Sequence, residues 1–99
     1  MRITVPHHTD KETARAKINE RLAQLMTQYG HYLGASSHSW DGDRLALAGS
    51  ARGFKASGTV EVTDTEVIID GKLPLIARPF EPRVKHTIEQ EAAAIFGKD

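Results

Sequence analysis

Between Trp40 and Pro74, four short runs of alternating apolar and polar residues follow one another, separated by turn chemistry and flanked by two amphipathic helical stretches. Alternation sends successive side chains to opposite faces, so each run is a strand with one covered and one open side. A sheet with one apolar face needs a cover, and the helical stretches supply it. With a short leading strand the order is β-α-β-β-β-β-α. The expected fold is therefore α+β, a single domain over residues 1–99 in which a curved antiparallel sheet packs against two helices in a helix-grip-like arrangement. Such an architecture can carry a groove or an interface.

Met1 to Val5 reads as a strand with Ile3 and Val5 on one face. Pro6 ends it and marks it as an edge, since proline gives no amide to a ladder. Thr9 stands three residues before Glu12, the spacing of a capping box, which predicts a helix from about Asp10. Ala14, Ile18, Leu22, Leu25 and Tyr29 recur at four and three, with Met26 beside them, and Gly30 supplies the stop. His31 to Ser37 is a polar connection to a strand around His38 to Trp40. Asp41-Gly42 is a turn dipeptide, because Gly accepts the positive φ of a tight hairpin.

Arg44 to Gly49, Thr59 to Thr63 and Glu66 to Asp70 are the remaining strands, with Asp64-Thr65 turning between the last two. Gly53 and Gly58 suit either a loop or a strand broken by bulges between Ser50 and Gly58. After Leu73, Pro79 and Pro82 keep the chain extended, and Pro82 is placed to open the last helix. Val84, Ile88, Ala92 and Ile95 form its stripe. The two stripes predict Ile18, Leu22, Leu25 and Ile88 buried where the helices meet the sheet.

Length and charge narrow the function classes. Ninety-nine residues suit one core. Thirteen basic residues balance thirteen acidic ones, which argues against a nucleic-acid partner, since such a protein needs a cationic face. The chain has no cysteine, so disulfides, thiolate catalysis and zinc–thiolate sites are excluded. Its first residues lack the basic start and apolar core of a secretory signal. No apolar stretch approaches the ~20 residues of a membrane span. The cytoplasm is the expected address.

Five histidines raise the question of a metal. His7 and His8, adjacent in an extended segment, point to opposite faces, and His31, His38 and His86 show no HxH, HxxxH or HExxH spacing. His7-His8 reads instead as a polar lead into the helix, and no metal site is assigned. Asp41, Asp43, Asp64 and Asp70 fall at turns, where a short acceptor stabilises the bend. Glu89 and Glu91 read as solvated helix surface. Ser36, Ser37, Ser39 and Ser50 lack a nucleophile context, and Gly49 to Gly53 lacks the ending of a phosphate loop. Arg44, Arg52, Lys55, Arg78, Arg83 and Lys85 are interspersed with acids and read as a solvated face. No catalytic residue and no cofactor is assigned.

Two apolar features remain. Trp40 is the candidate anchor of the core or of a pocket, because indoles are mostly well buried. Leu73, Leu75, Ile76 and Phe80 are the candidate interaction surface. Their proline-interrupted stretch cannot form a regular amphipathic helix, so part of it needs a partner to cover it, most simply a second copy in a homodimer.

Ala14 and Ile18, Tyr29-Gly30, Trp40-Asp41-Gly42-Asp43, Gly58-Thr59-Val60-Glu61-Val62 and Leu73-Pro74 together resemble the polyhydroxyalkanoic acid system family over nearly the whole chain. The Trp-Asp-Gly-Asp turn is the most specific of these elements. The resemblance implies a bacterial protein tied to polyhydroxyalkanoate storage granules or their regulation, with no catalytic motif to carry over. Its implied partners are a granule-associated protein, a second copy or the polymer. The alternative is a small hydrophobic-ligand binder or enzyme of helix-grip type with a pocket between the sheet and the first helix. An apolar cavity lined by Trp40 and sheet residues would favour that alternative.

Overall fold

The computed structural model describes residues 1–30, 36–51 and 53–97. Most of the expected connection His31 to Ser37, and Arg52 of the expected solvated basic face, lie outside the described residues, as does the Tyr29 side chain of the first stripe. Strand β1 (Arg2–Pro6) leads into helix α1 (Lys11–Tyr29). Strands β2 (Ser36–Asp41), β3 (Arg44–Ala51), β4 (Phe54–Val62) and β5 (Glu66–Lys72) follow. A 3-10 helix (Leu75–Phe80) and helix α2 (Glu81–Phe96) end the chain. The fold is α+β with the expected element order.

All strand pairs are antiparallel, and the spatial order is β1-β5-β4-β3-β2. β1 is an edge, as Pro6 implies, and β2 is the other. Among the described residues no helix is long and apolar enough to cross a membrane.

The register gathers the inner face into rows that run across the strands. Trp40, Leu45, Val60, Ile69 and Ile3 make one row. Val62, Val67 and Val5 make the row nearer the β4–β5 turn. In the other direction the next row reads His38, Leu47, Gly58 and Gly71, and the one after it Ser36, Gly49 and Ala56. Side-chain bulk therefore falls away along the strands from one end of the sheet to the other.

Burial follows those rows. Ala14 and Ile18 of α1 are buried against Leu45, Val60, Val62 and Val67, together with Phe96 of α2. Leu22, Leu25 and Ile88, expected in the same core, are only half-buried. Their stripe spacing is as predicted, but the sheet beneath them offers glycine and alanine in place of Val and Leu.

Local chemistry corrects several expectations. The N-cap of α1 is Asp10, not Thr9: its Oδ1 accepts the Thr13 N–H at 2.7 Å and its Oδ2 accepts the Thr13 hydroxyl at 3.1 Å. These bonds hold the Asp10 carboxyl below the ordinary carboxylate range, the Thr13 amide having the largest effect. Gly30 caps the far end, but in a right-handed conformation, with its N–H bonded to Met26 O.

In the β2–β3 hairpin Asp41 pairs with Arg44, so the central turn residues are Gly42-Asp43, one step later than the Asp41-Gly42 dipeptide suggested. Gly42 supplies the positive φ of 63°. β3 and β4 pair in unbroken register from Arg44↔Glu61 to Ala51↔Phe54, so no bulge breaks the strands, and Gly53, at φ 83°, is a turn residue between them. After Pro74 the chain is a 3-10 helix, not extended. Pro79 fits inside it because a tight 3-10 turn asks for the φ that proline already has. It runs directly into α2, where Pro82 falls at the start.

Candidate functional site

Where the inner face thins, the two helices and the sheet enclose an apolar cleft of about 480 Å³. Its roof is Leu22, Leu25 and Met26 of α1 with Val84 and Ile88 of α2. Its floor is Leu47, Ala56, Gly58 and Gly71, ending against Val60 and Ile69. Leu73, half-buried, closes one side.

Two of the floor glycines differ in what they permit. A Cβ on Gly58 would meet the Asp70 carbonyl oxygen at 2.9 Å and the Gly71 Cα at 3.4 Å. A Cβ on Gly71 would meet only the Met1 methyl, at 2.7 Å. The absence of a side chain at 58 is thus imposed by the approach of two backbones, and it keeps the floor flat.

A second hollow of about 550 Å³ shares Ser36, Gly49, Ala56, Lys72 and Leu73 with the lining of the cleft. Here β5 has ended at Lys72 while β4 runs on to Phe54, so the β4 edge over Phe54–Ala56 has no ladder partner from β5. Ser36, Ser37, Ser50 and Ser57 border the hollow with Lys55 and Lys72, and among the described residues no carboxylate does.

Arg21 fixes the helices over the cleft. Its Nε and a terminal nitrogen donate to both Glu91 oxygens, at 2.7 and 2.9 Å. The guanidinium holds the Glu91 carboxyl below the ordinary range. Glu91 is therefore a tie between α1 and α2, not the free surface carboxylate its position in the helix suggested.

His7 occupies the opposite, filled end. It is 1% exposed, its Nδ1 accepts the Thr9 N–H at 3.2 Å, and its Nε2 lies 2.8 Å from Thr63 O. An accepting Nδ1 places the proton on Nε2, which then donates to that carbonyl. His8 takes φ 55° and is exposed, so the two histidines do part to opposite sides, but His7 is a core group that fastens the helix start to the β4–β5 turn. The signal that could have found it is Pro6: a strand ended there leaves the next side chain on the inner side. Among the described residues no group of three His, Asp or Glu stands close enough to hold a metal ion.

Trp40 does not line the cleft. It is half-buried against the core, with its Nε1–H donated to Asn19 Oδ1 at 2.8 Å and the Arg15 guanidinium 5.0 Å above its ring. Three residues on, Asp43 accepts from Lys11 Nζ at 3.1 Å, and its carbonyl takes the Val62 N–H at 2.8 Å. Asp43, with Asp64 3.7 Å from the same ammonium, keeps Lys11 protonated above the ordinary lysine range. The Trp-Asp-Gly-Asp turn thus ties the β2–β3 hairpin to the first half of α1.

Of the candidate interaction surface, Leu75, Ile76 and Phe80 are 76%, 66% and 60% exposed on the 3-10 helix, while Leu73 turns into the cleft. Sequence spacing named this segment but missed the cleft beside it. The signal lay in the inner-face positions Gly49, Ala56, Gly58 and Gly71, visible only once the register is known.

A family model described as polyhydroxyalkanoic acid system protein matches residues 1–96. The chain belongs to this family. Neither a curated protein nor a solved structure matches it. In this polyhydroxyalkanoic acid system protein, the segments that carry the resemblance are framework. Ala14 and Ile18 are core, Gly58 is where β4 and β5 close together, and Trp40 to Asp43 is the hairpin that clasps α1.

Proposed function

We propose that this protein is a noncatalytic component of polyhydroxyalkanoate storage that works in the cytoplasm at the granules or in their regulation. It would do so through apolar contacts to a granule-associated protein, to a second copy in a homodimer, or to the polymer itself. The observation that carries this reading is the exposure of Leu75, Ile76 and Phe80 within one short 3-10 helix. Three large apolar side chains exposed within six residues point to a partner surface. Covering about 100 Å² on each would contribute roughly 2.5 kcal/mol per side chain before the entropy of association is set against it.

Co-sedimentation with native granules tests the reading. Wild type should pellet with granules, whereas Leu75→Asp/Ile76→Asp should remain in the supernatant with an unchanged melting temperature, because both side chains already face solvent. Light scattering on the same samples separates a dimer surface from a granule surface. A monomeric wild type whose double variant still pellets would remove the segment from the function.

The apolar cleft supports a second reading, a small hydrophobic-ligand binder with its pocket between the sheet and the helices. Its size falls in the range of small-molecule sites.

A further inference from the structure

The two edges of the sheet are finished differently. On β1, the Met1 carbonyl accepts the Gly71 N–H at 2.8 Å and the Met1 amine donates to the Gly71 carbonyl at 3.2 Å. Bonding alternates along an antiparallel ladder, so Ile3 and Val5 also bond toward β5, while Arg2, Thr4 and Pro6 direct their backbone groups outward. That edge is blunted, because Pro6 offers no N–H and Arg2 sets a charge on the strand. On the other side, the Asp43 carbonyl takes the Val62 N–H, so Arg44 and Glu61 do not bond each other and the Arg44 backbone groups point to Asp41. The bonded pairs of the β2–β3 ladder are then Asp41↔Arg44, Ser39↔Ala46 and Ser37↔Ala48. The N–H and C=O of Ser36, His38 and Trp40 are left pointing outward, and among the described residues no strand pairs with them. Ser36 to Ser39 are exposed, and β2 has no proline, no bulge and no charged side chain before Asp41 to blunt it. We propose that β2 pairs antiparallel with β2 of a second copy about a twofold axis at His38, joining two five-stranded sheets into one.

The free backbone groups set the register. With His38 opposite the partner's His38, Ser36 falls opposite the partner's Trp40, and all three outward residues of both copies are bonded. A shift of two residues either way loses at least one of these pairs. The side chains agree with it. Ser37 and the partner's Ser39 meet at the close, non-bonded positions between them, where two small hydroxyls fit and can bond each other. Asp41 lies beyond the last pair, so no carboxylate is set against its own copy. A twofold pairing of one patch with itself is the commonest form of association. Leu75, Ile76 and Phe80 take no part, so the inference goes beyond the granule reading and does not depend on it.

Sedimentation equilibrium on the full chain is the test. Wild type should show a monomer–dimer equilibrium in the micromolar range, suited to an interface at the small end of the specific class. His38→Pro removes an amide that the chain itself does not use. The variant should keep its circular dichroism spectrum and associate about tenfold or more weakly, the effect of losing two hydrogen bonds. Charge at the axis gives a reading that needs no proline. His38→Lys and His38→Glu each set like charges face to face and should self-associate up to about fivefold more weakly, while their equimolar mixture should associate more tightly than either. Leu75→Asp/Ile76→Asp should dimerise as wild type does. A wild type that stays monomeric to about 100 µM, a folded His38→Pro that dimerises undiminished, or a mixture no tighter than its parents would each overturn the proposal. Dimerisation lost in Leu75→Asp/Ile76→Asp but kept in His38→Pro would move the contact to the 3-10 helix, overturning the β2 edge and leaving the granule reading in place.

Discussion

At the end of the molecule near the β4–β5 turn, Val62 and Val67 lie under Ala14, Ile18 and Phe96, and His7 is sealed in beside them. At the other end Leu22, Leu25, Val84 and Ile88 stand over Gly58, Gly71, Gly49 and Ala56 with a cleft between. The same two helices, with the same apolar spacing, cover both. Helix periodicity therefore decides which residues face the sheet, while the sheet's side chains decide whether those residues are packed. Arg21 and Glu91 join the helices between the two regimes, so the splayed end is held at a fixed span without side chains to fill it.

The largest effect should come from truncating each end in turn. Leu45 is fully buried in the filled half. Leu45→Ala should cost about 2 to 5 kcal/mol in denaturant unfolding, through lost burial plus an unfilled cavity. Leu25→Ala should cost about 1 kcal/mol or less, because the side chain already borders open space and no new cavity is made. Equal losses at the two ends would break the comparison, since the cleft would then be packed as tightly as the core.

The floor of the cleft gives a sharper test at single-atom scale. Gly58→Ala should destabilise by about 1 to 3 kcal/mol, the range for forcing a group into a packed site, because the new methyl meets backbone that cannot step aside. Gly71→Ala meets only the end of the Met1 side chain and should be near neutral. Thermal melts of the two variants side by side would read the difference. A Gly58→Ala protein as stable as wild type would mean that the flat floor is a matter of composition and not of strand approach.

These contrasts also mark what the sequence could tell. Alternation and turn chemistry were enough for the element order, since strand faces and hairpins are written within a few neighbouring residues. The stripe of α1 was legible, and so was the burial of Ile18. The half-burial of Leu22, Leu25 and Ile88 was not, because it depends on Gly58 and Gly71, residues paired across β4 and β5 and far from the helices in sequence. The segment Leu73 to Phe80 stood out because large apolar residues between prolines are conspicuous. Its 3-10 form depends on how Pro79 fits a tight turn, and the inward turn of Leu73 depends on the space beneath α2. His7 and Glu91 looked like surface groups because their partners, Thr63 and Arg21, lie 56 and 70 residues away.

The smallest expected effect lies at the junction of the two ends, in the Arg21–Glu91 pair. Both side chains are partly exposed, so water screens them and Glu91→Gln should cost no more than about 1 kcal/mol near neutral pH. Its pH dependence is the more telling observable. The guanidinium lowers the Glu91 pKa in the folded protein, so the unfolded chain takes up this proton first as the solution is acidified. The contribution is whole above the unfolded value of about 4.3 and is lost as the pH falls through the lower folded value. The stability gap between wild type and Glu91→Gln should therefore be constant from neutrality down to about pH 5 and close below it. The variant should also loosen the cleft more than the core, because the tie restrains helices that have no packing beyond it on that side. Hydrogen exchange should then quicken in α1 after Arg21 and in α2 before Glu91, while the amides around Ala14 and Ala92 keep their protection. Uniform acceleration along both helices would show that the pair supports the whole sandwich equally, and that the two ends differ in filling alone.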